Sequence, residues 1–273
     1  MSTRVAAASR PLDLVRQIVV ISSMGFAIVA VLVGVGGLGG TSVENTQGGA
    51  LDSDATYLAP AGPAFSIWSV IYLGLAAYVA WQALPAQRAS VRQRAVGWWI
   101  ALTIVLNGLW LVAAQLLDVV WTVVVIFALL VALAVTFQRT VATRIPRDGV
   151  IDAALIDGVT GLHLGWVSLA SATNVAAWLT ETGPASWEAY ADAWGIAVLI
   201  VLGLVGMAIA FFSGWRVAPG LAIAWGAVWL AVGRLAAEPQ STPIAIAAIV
   251  VAVIVGGVPL VVSGLRMLRP QGD

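Results

Sequence analysis

What most constrains this chain is a rhythm of long apolar runs cut by short turns. Eight segments read as membrane spans: Leu14–Leu38, Ala64–Leu84, Ala95–Leu117, Val119–Gln138, Ile151–Leu179, Ala193–Ser213, Pro219–Ala237 and Pro243–Arg266. Each approaches or exceeds the roughly 20 residues that an α-helix needs to cross the hydrocarbon core of a bilayer. Turn chemistry separates them at Gly39-Gly40, Leu84-Pro85, Ile145-Pro146-Arg147-Asp148-Gly149, Gly183-Pro184 and Glu238-Pro239. Between the third and fourth segments only Asp118 marks a break, but one helix there would be twice too long for the bilayer, so a tight hairpin is expected. The first segment follows Arg4, Arg10 and Arg16, as a secretory signal would. Its apolar core of about 22 residues exceeds the 7–15 of a signal, and it reads as a retained helix.

Only 10% of the 273 residues are charged, against about 25% in soluble domains, and mean hydropathy is +0.99. No polar stretch is long enough for a large soluble domain. The expected fold is all-α, a polytopic membrane helix bundle of about eight transmembrane helices. All 13 basic residues are arginines, and their placement tests the count. Arg10 and Arg16 join Arg4 before the first span. Arg88, Arg92 and Arg94 follow the second, Arg139, Arg144 and Arg147 the fourth, Arg216 the sixth, and Arg266 and Arg269 the eighth. With both termini in the cytoplasm every arginine but Arg234 falls on the inner side, as the positive-inside rule asks. Glu44, Asp52, Asp54, Glu181, Glu188, Asp192 and Glu238 fall outside. The expected location is a bacterial cytoplasmic membrane. Arg234, four residues before Glu238, is expected to snorkel or to pair there.

Composition also removes most chemistry. With no cysteine, disulfides, thiolate nucleophiles and iron–sulfur ligation are excluded. A single histidine, His163, cannot supply a two-imidazole metal site from one chain. The absence of lysine excludes a Schiff base. Zero net charge, with no basic cluster, leaves no electrostatic footprint for nucleic acid.

Three constellations remain. A proline, Pro63, opens the second span, which carries Phe65, Trp68 and Tyr72 on one helical face. In the third, Asn107 lies one turn from Trp110. In the fifth, His163, Trp166, Ala170, Asn174 and Ala177 fall within about an 80° stripe, two small alanines among polar and aromatic neighbours. Running the spans through the bilayer places Phe65 to Tyr72, Trp110, and Ala170 to Trp178 at outer or middle depth. Asn107 and Asn174 are then intramembrane amides that need partners, since lipid offers none. Packing glue between helices satisfies them as well as a binding site does. Trp81, Trp98, Trp99, Trp187, Trp194 and Trp215 read as interface anchors, and Asp157 as facing the bundle or inner water. Small residues in the first, sixth and eighth spans (Gly34, Gly36, Gly37; Gly203, Gly206; Gly256, Gly257) allow close helix contact.

These residues resemble a known family. Trp68 with Tyr72, Leu106-Asn107-x-x-Trp110, and Trp166 followed by Asn174 and Trp178 are similar to the TspO/MBR family of tryptophan-rich sensory proteins, bacterial relatives of the mitochondrial translocator protein. The likeness covers about residues 14–179. It implies a five-helix translocator-like unit in residues 1–180, with three additional transmembrane helices in 181–273, and a pocket open toward the first loop. It also implies an integral membrane protein that binds a flat hydrophobic ligand, a porphyrin or other tetrapyrrole, for sensing, handling or transport. The implied ligand-binding residues are Phe65, Trp68, Tyr72, Asn107, Trp110, His163, Trp166, Ala170, Asn174 and Trp178. The chain departs from the family pattern at His163, often tyrosine there, and at Val125, often aspartate. Residues 39–67 carry no tryptophan.

A transporter or permease using Asp157, His163 and Arg234, and a light-dependent porphyrin-degrading protein using the indoles, are the alternative readings. No acid–base pair or metal triad calls for an enzyme. No cofactor is required, although a bound porphyrin or haem fits the resemblance. The expected partners are membrane lipid and a hydrophobic small molecule, no nucleic acid, with a homodimer left open.

Overall fold

The structure, a computed structural model, describes residues 9–38, 41–145 and 149–268. The turn residues Gly39, Gly40, Pro146, Arg147 and Asp148 and the arginines Arg4 and Arg269 lie outside that set. Among the described residues there is no strand, and 8 helices are long and apolar enough to cross a membrane. They are α1 (Pro11–Gly34), α2 (Ile67–Ala83), α3 (Val91–Leu116), α4 (Val119–Thr143), α5 (Val150–Thr182), α6 (Ala191–Phe212), α7 (Val217–Ala236) and α8 (Thr242–Leu268). The chain is a multi-pass integral membrane protein.

Local chemistry sets the ends. Pro11 occupies the first turn of α1, where a missing N–H costs nothing, and the Arg10 backbone N–H donates to Asp13 Oδ2 at 2.8 Å. A 3-10 turn at Gly62–Ser66, opened by Pro63, leads into α2. Leu84 is extended, as the residue before Pro85 must be, and α2 stops there. The Ser90 hydroxyl caps α3, and the Ser241 hydroxyl caps α8, accepting from Ile244 N at 3.2 Å. At Asp118 the chain breaks between Leu116 and Val119, so the expected hairpin is real.

The first five helices close into a ring. α1 touches α2 and α3, α3 touches α4, α4 touches α5, and α5 returns to α2. α7 packs on α5 from outside the ring, α8 lies against α7, and α6 lies against α8. The contact between α5 and α7 needs glycine. A β-carbon on Gly161 would fall 2.8 Å from Ala218 Cβ, and one on Gly165 would run into the Pro219 carbonyl. On the other side of α7, Gly220 meets the Val255 carbonyl in the same way. Of the glycines expected to pack closely, Gly34, Gly206 and Gly256 do so, against Leu111, Val255 and Ala224, whereas nothing stands within 4 Å of a β-carbon on Gly257. The tightest approaches are therefore at α7, which the small-residue count does not single out.

The two ends of the ring differ. At the terminal face, where α1 begins, the helices are tied by polar groups. Asp13 accepts from Arg94 at 2.7 and 2.6 Å and lies 3.6 Å from Arg16. Gln17 Nε2 donates to the Gln82 carbonyl at 2.7 Å, and Tyr78 Oη donates to Gln93 Oε1 at 2.8 Å. A π-helical stretch, Ala153–Gly158, carries Asp157 into the same layer. Asp157 meets Arg92 at 2.5 Å, Arg144 at 3.2 Å and Arg216 at 3.3 Å, and Arg92 also pairs with Asp152. Asp157 thus faces the bundle, as expected, and joins α3 and α7 to α5. Toward the opposite loop face the ring is open inside.

Candidate functional site

The loop half of the ring encloses a cavity of about 520 Å³. Its walls come from all five ring helices and from the segment joining α1 to α2. α2 enters from the loop face, so the 3-10 turn before it and its own first turns place Phe65, Trp68, Ser69 and Tyr72 in the wall. α3 and α5 run toward the loop face and contribute Asn107 and Trp110, and Trp166, Ala170 and Asn174. Eight of the ten residues named from the sequence line one hollow.

The aromatic groups are locked by one another. Trp68 stacks on Tyr72 with ring centroids 5.3 Å apart at 25°. Trp166 stands edge-on to Trp68 (6.2 Å, 83°) and to Phe65 (5.8 Å, 82°), an arrangement the ring quadrupoles favour. The amides serve as glue and as wall together. Asn107 Nδ2 donates to Tyr72 Oη at 3.1 Å, joining α3 to α2. Trp110 Nε1 donates to Asn174 Oδ1 at 3.0 Å, joining α3 to α5. Asn174 Nδ2 returns to the Ala170 carbonyl at 2.8 Å. Ala170 and Ala177 supply the space that larger residues would fill. Trp166 is 1% exposed, and its indole N–H has no acceptor among the described residues.

Two named residues lie elsewhere. His163 is 1% exposed and sits behind the wall, its ring edge-on to Trp68 at 5.8 Å and 76°. Trp178 is half-buried near the end of α5, away from the cavity. It falls outside the stripe that holds Trp166, Ala170 and Asn174, so helix geometry accounts for its absence. Conversely, the wall includes residues that carry no polar or aromatic signal: Val31 and Gly34 of α1, Leu111 of α3, Ile126 and Leu129 of α4, and Ala59 and Pro60 of the joining segment. The alternation of helix directions gives their depth, but only the ring order shows that they face inward.

Arg234 corrects an expectation. It neither snorkels nor pairs with Glu238. It is 1% exposed and donates to the Pro239 carbonyl at 2.7 Å, while the Glu238 carboxylate accepts from Gln240 N at 3.1 Å. The chain turns back after Ala236 and brings a carbonyl, in place of the carboxylate, over the guanidinium. Of the tryptophans expected as interface anchors, Trp98, Trp187 and Trp194 are exposed, and the Arg139 guanidinium lies over the Trp99 ring, 5.0 Å from its centroid. No cluster of three metal-ligating side chains occurs among the described residues.

A model of the TSPO-like protein family matches residues 16–261. The chain belongs to that family. The match runs from the first span into the eighth, so it takes in the ring and the helices outside it. No curated protein and no solved structure matches the chain.

Proposed function

From membership of this family we propose that the chain binds a flat, apolar small molecule of the tetrapyrrole class in the cavity of the five-helix ring, for sensing or handling. The observation that carries the reading is the wall itself. Stacked and edge-on aromatic rings from α2 and α5 face a hollow whose volume lies within the roughly 300–1,000 Å³ of small-molecule sites. A rigid aromatic plate buries a large area at little entropic cost against such rings. The polar groups in the wall, the Asp52 carboxylate and the Asn107 and Asn174 amides among them, include no cation among the described residues, so they suit orientation more than neutralisation of an anionic ligand. His163 lies behind Trp68, so a haem would be held by its faces and not through its iron.

Binding is favoured over permeation because the terminal half of the ring is filled by ion pairs and packed side chains. We place that terminal face in the cytoplasm of a bacterial cell, with the cavity opening to the other side, on the strength of the arginines gathered there.

The test is titration of the purified chain with protoporphyrin IX, followed by tryptophan fluorescence. Saturable quenching with a Kd of about 1–10 μM supports the reading, with affinity lowered about tenfold in Trp68→Ala. Quenching that is linear in ligand, or unchanged in a Trp68→Ala, Trp166→Ala double variant, would remove it.

A further inference from the structure

α7 is outside the ring, yet one of its faces reaches the cavity wall at four places. Trp225 Nε1 donates to the Ala64 carbonyl at 2.9 Å. A β-carbon on Gly226 would fall 2.6 Å from Leu169 Cδ1 and 3.2 Å from Trp166 Cζ3. The Trp229 carbonyl accepts from the backbone N–H of Ala61 at 3.1 Å. A β-carbon on Gly233 would stand 3.4 Å from Ala61 N and 3.8 Å from the Ala59 carbonyl. Positions 225, 229 and 233 recur at one turn each, so they form a single stripe. Its partners are wall residues or their immediate neighbours: Ala59, Phe65, Trp166 and Leu169 all line the cavity.

The segment from Ala59 to Ala61 is not helical, so its backbone groups need partners from elsewhere. α7 supplies them. Where α7 sits therefore decides where this edge of the cavity sits, and α7 itself is gripped between α5 and α8 by backbone-tight glycine contacts. Beside the stripe, Arg234 keeps two guanidinium nitrogens, Nε and Nη2, without partners among the described residues. Asp54 and Tyr57 of the joining segment and Glu238 are its electrostatic neighbours. A buried donor left open favours any small shift that brings an acceptor to it.

We propose that α7 is the control element of the cavity: it holds the 59–65 edge and the Trp166–Leu169 wall, and tilting of its Trp225–Gly233 stripe, with the Gly165–Pro219 contact as the fixed point, widens or narrows the hollow. Coupling of this kind is reciprocal, so filling the cavity shifts α7 in turn. The path is a contiguous set of contacts between two packed bodies. The inference rests on the binding reading only in treating the hollow as a ligand site; the mechanical link is a property of the chain alone.

The absence of native cysteine makes a ligand-free test available. Ser69, in the wall, is changed to cysteine in the full chain, and its reaction rate with a small water-soluble thiosulfonate is measured in detergent. Trp225→Phe keeps an aromatic ring and deletes the N–H held by Ala64; it raises the rate about five- to tenfold, the worth of one hydrogen bond. Gly226→Ala pushes Trp166 and Leu169 inward and lowers the rate. Opposite signs from two neighbouring positions are not what general loosening produces. Ala61→Pro is a further variant that removes the N–H given to Trp229, at a residue whose φ of −57° a proline ring accepts; it also raises the rate. Rates within twofold of the parent in all three overturn the proposal. Protoporphyrin titration separates the two readings: failure to bind with the labelling shifts intact removes the ligand and leaves the control element, and normal binding with unshifted labelling does the reverse.

Discussion

Single side chains in this bundle do two tasks at once, because a polar group within the bilayer has no water to fall back on. Asn174 accepts from Trp110 and lines the cavity; replacing it with leucine strips the acceptor and fills part of the hollow. Hydrogen bonds between membrane helices average near 0.6 kcal/mol, so the expected loss of stability is about 1 kcal/mol, read by thermal unfolding in detergent, with protoporphyrin affinity falling further than stability does. Asp157 is the opposite case. Three guanidinium groups converge on its carboxylate, and removing one partner of a buried ion pair costs about 3–5 kcal/mol. Asp157→Asn is expected to lower the unfolding temperature more than any single wall substitution, while leaving binding at temperatures where the chain stays folded. A loss of binding with unchanged stability would instead give Asp157 a direct role in the site. His163 makes a third prediction. Haem and metal-free protoporphyrin bind within about threefold of each other, and the bound haem spectrum is the same in His163→Gln, because the imidazole lies behind Trp68.

At the scale of elements, helices without a hydrophobic force between them associate where their backbones can come close. α5 and α7 show where that matters. At Gly165 an added methyl meets the backbone of Pro219, which cannot swing aside. Overpacking of this sort costs about 1–3 kcal/mol. Gly165→Ala is therefore expected to destabilise by that amount, whereas Gly257→Ala, with open space around it, is neutral or slightly stabilising through better helix propensity. Parallel melting curves of the two variants check the difference. Equal effects would mean that α7 is not held where the structure has it. The π-helical stretches at Ala153–Gly158 and Val253–Gly257 sit in the two helices that flank α7, so the irregular backbone of the bundle is gathered around that helix.

For the whole molecule, the ring has a sealed face and a hollow face, and the orientation in the membrane decides which compartment the hollow serves. Glu188 lies in the α5–α6 connection at the loop face and Ala86 in the α2–α3 connection at the terminal face; both are exposed. Single cysteines at these positions, in a chain that has no others, are expected to react differently with an impermeant maleimide applied to intact bacterial cells. Glu188→Cys labels at once, and Ala86→Cys labels only after lysis. The reverse pattern would invert the proposed topology without touching the cavity.

The spans and their number follow from the chain alone, because a backbone in hydrocarbon has to be helical and the bilayer fixes the length of each helix. The ends do not, since the first helix stops at Gly34 and not Leu38, and the fourth runs on past Gln138 to Thr143. Even the weakest boundary, at Asp118, is dictated by that length. Depth is also readable: alternating helix directions bring Trp68, Tyr72, Trp110 and Asn174 to outer or middle depth, and their polar and aromatic chemistry marks them. Rotation is another matter. Lipid tails and the bundle interior are equally apolar, so a leucine or isoleucine gains nothing by facing one over the other, and periodicity cannot say which way Leu111, Ile126 or Leu129 points. The ring order settles that, and it also hides His163 behind Trp68. The role of α7 is likewise tertiary: its stripe of Trp225, Gly226, Trp229 and Gly233 becomes meaningful only when the backbone of a segment more than 150 residues earlier is laid against it (Trp225 bonds across a separation of 161).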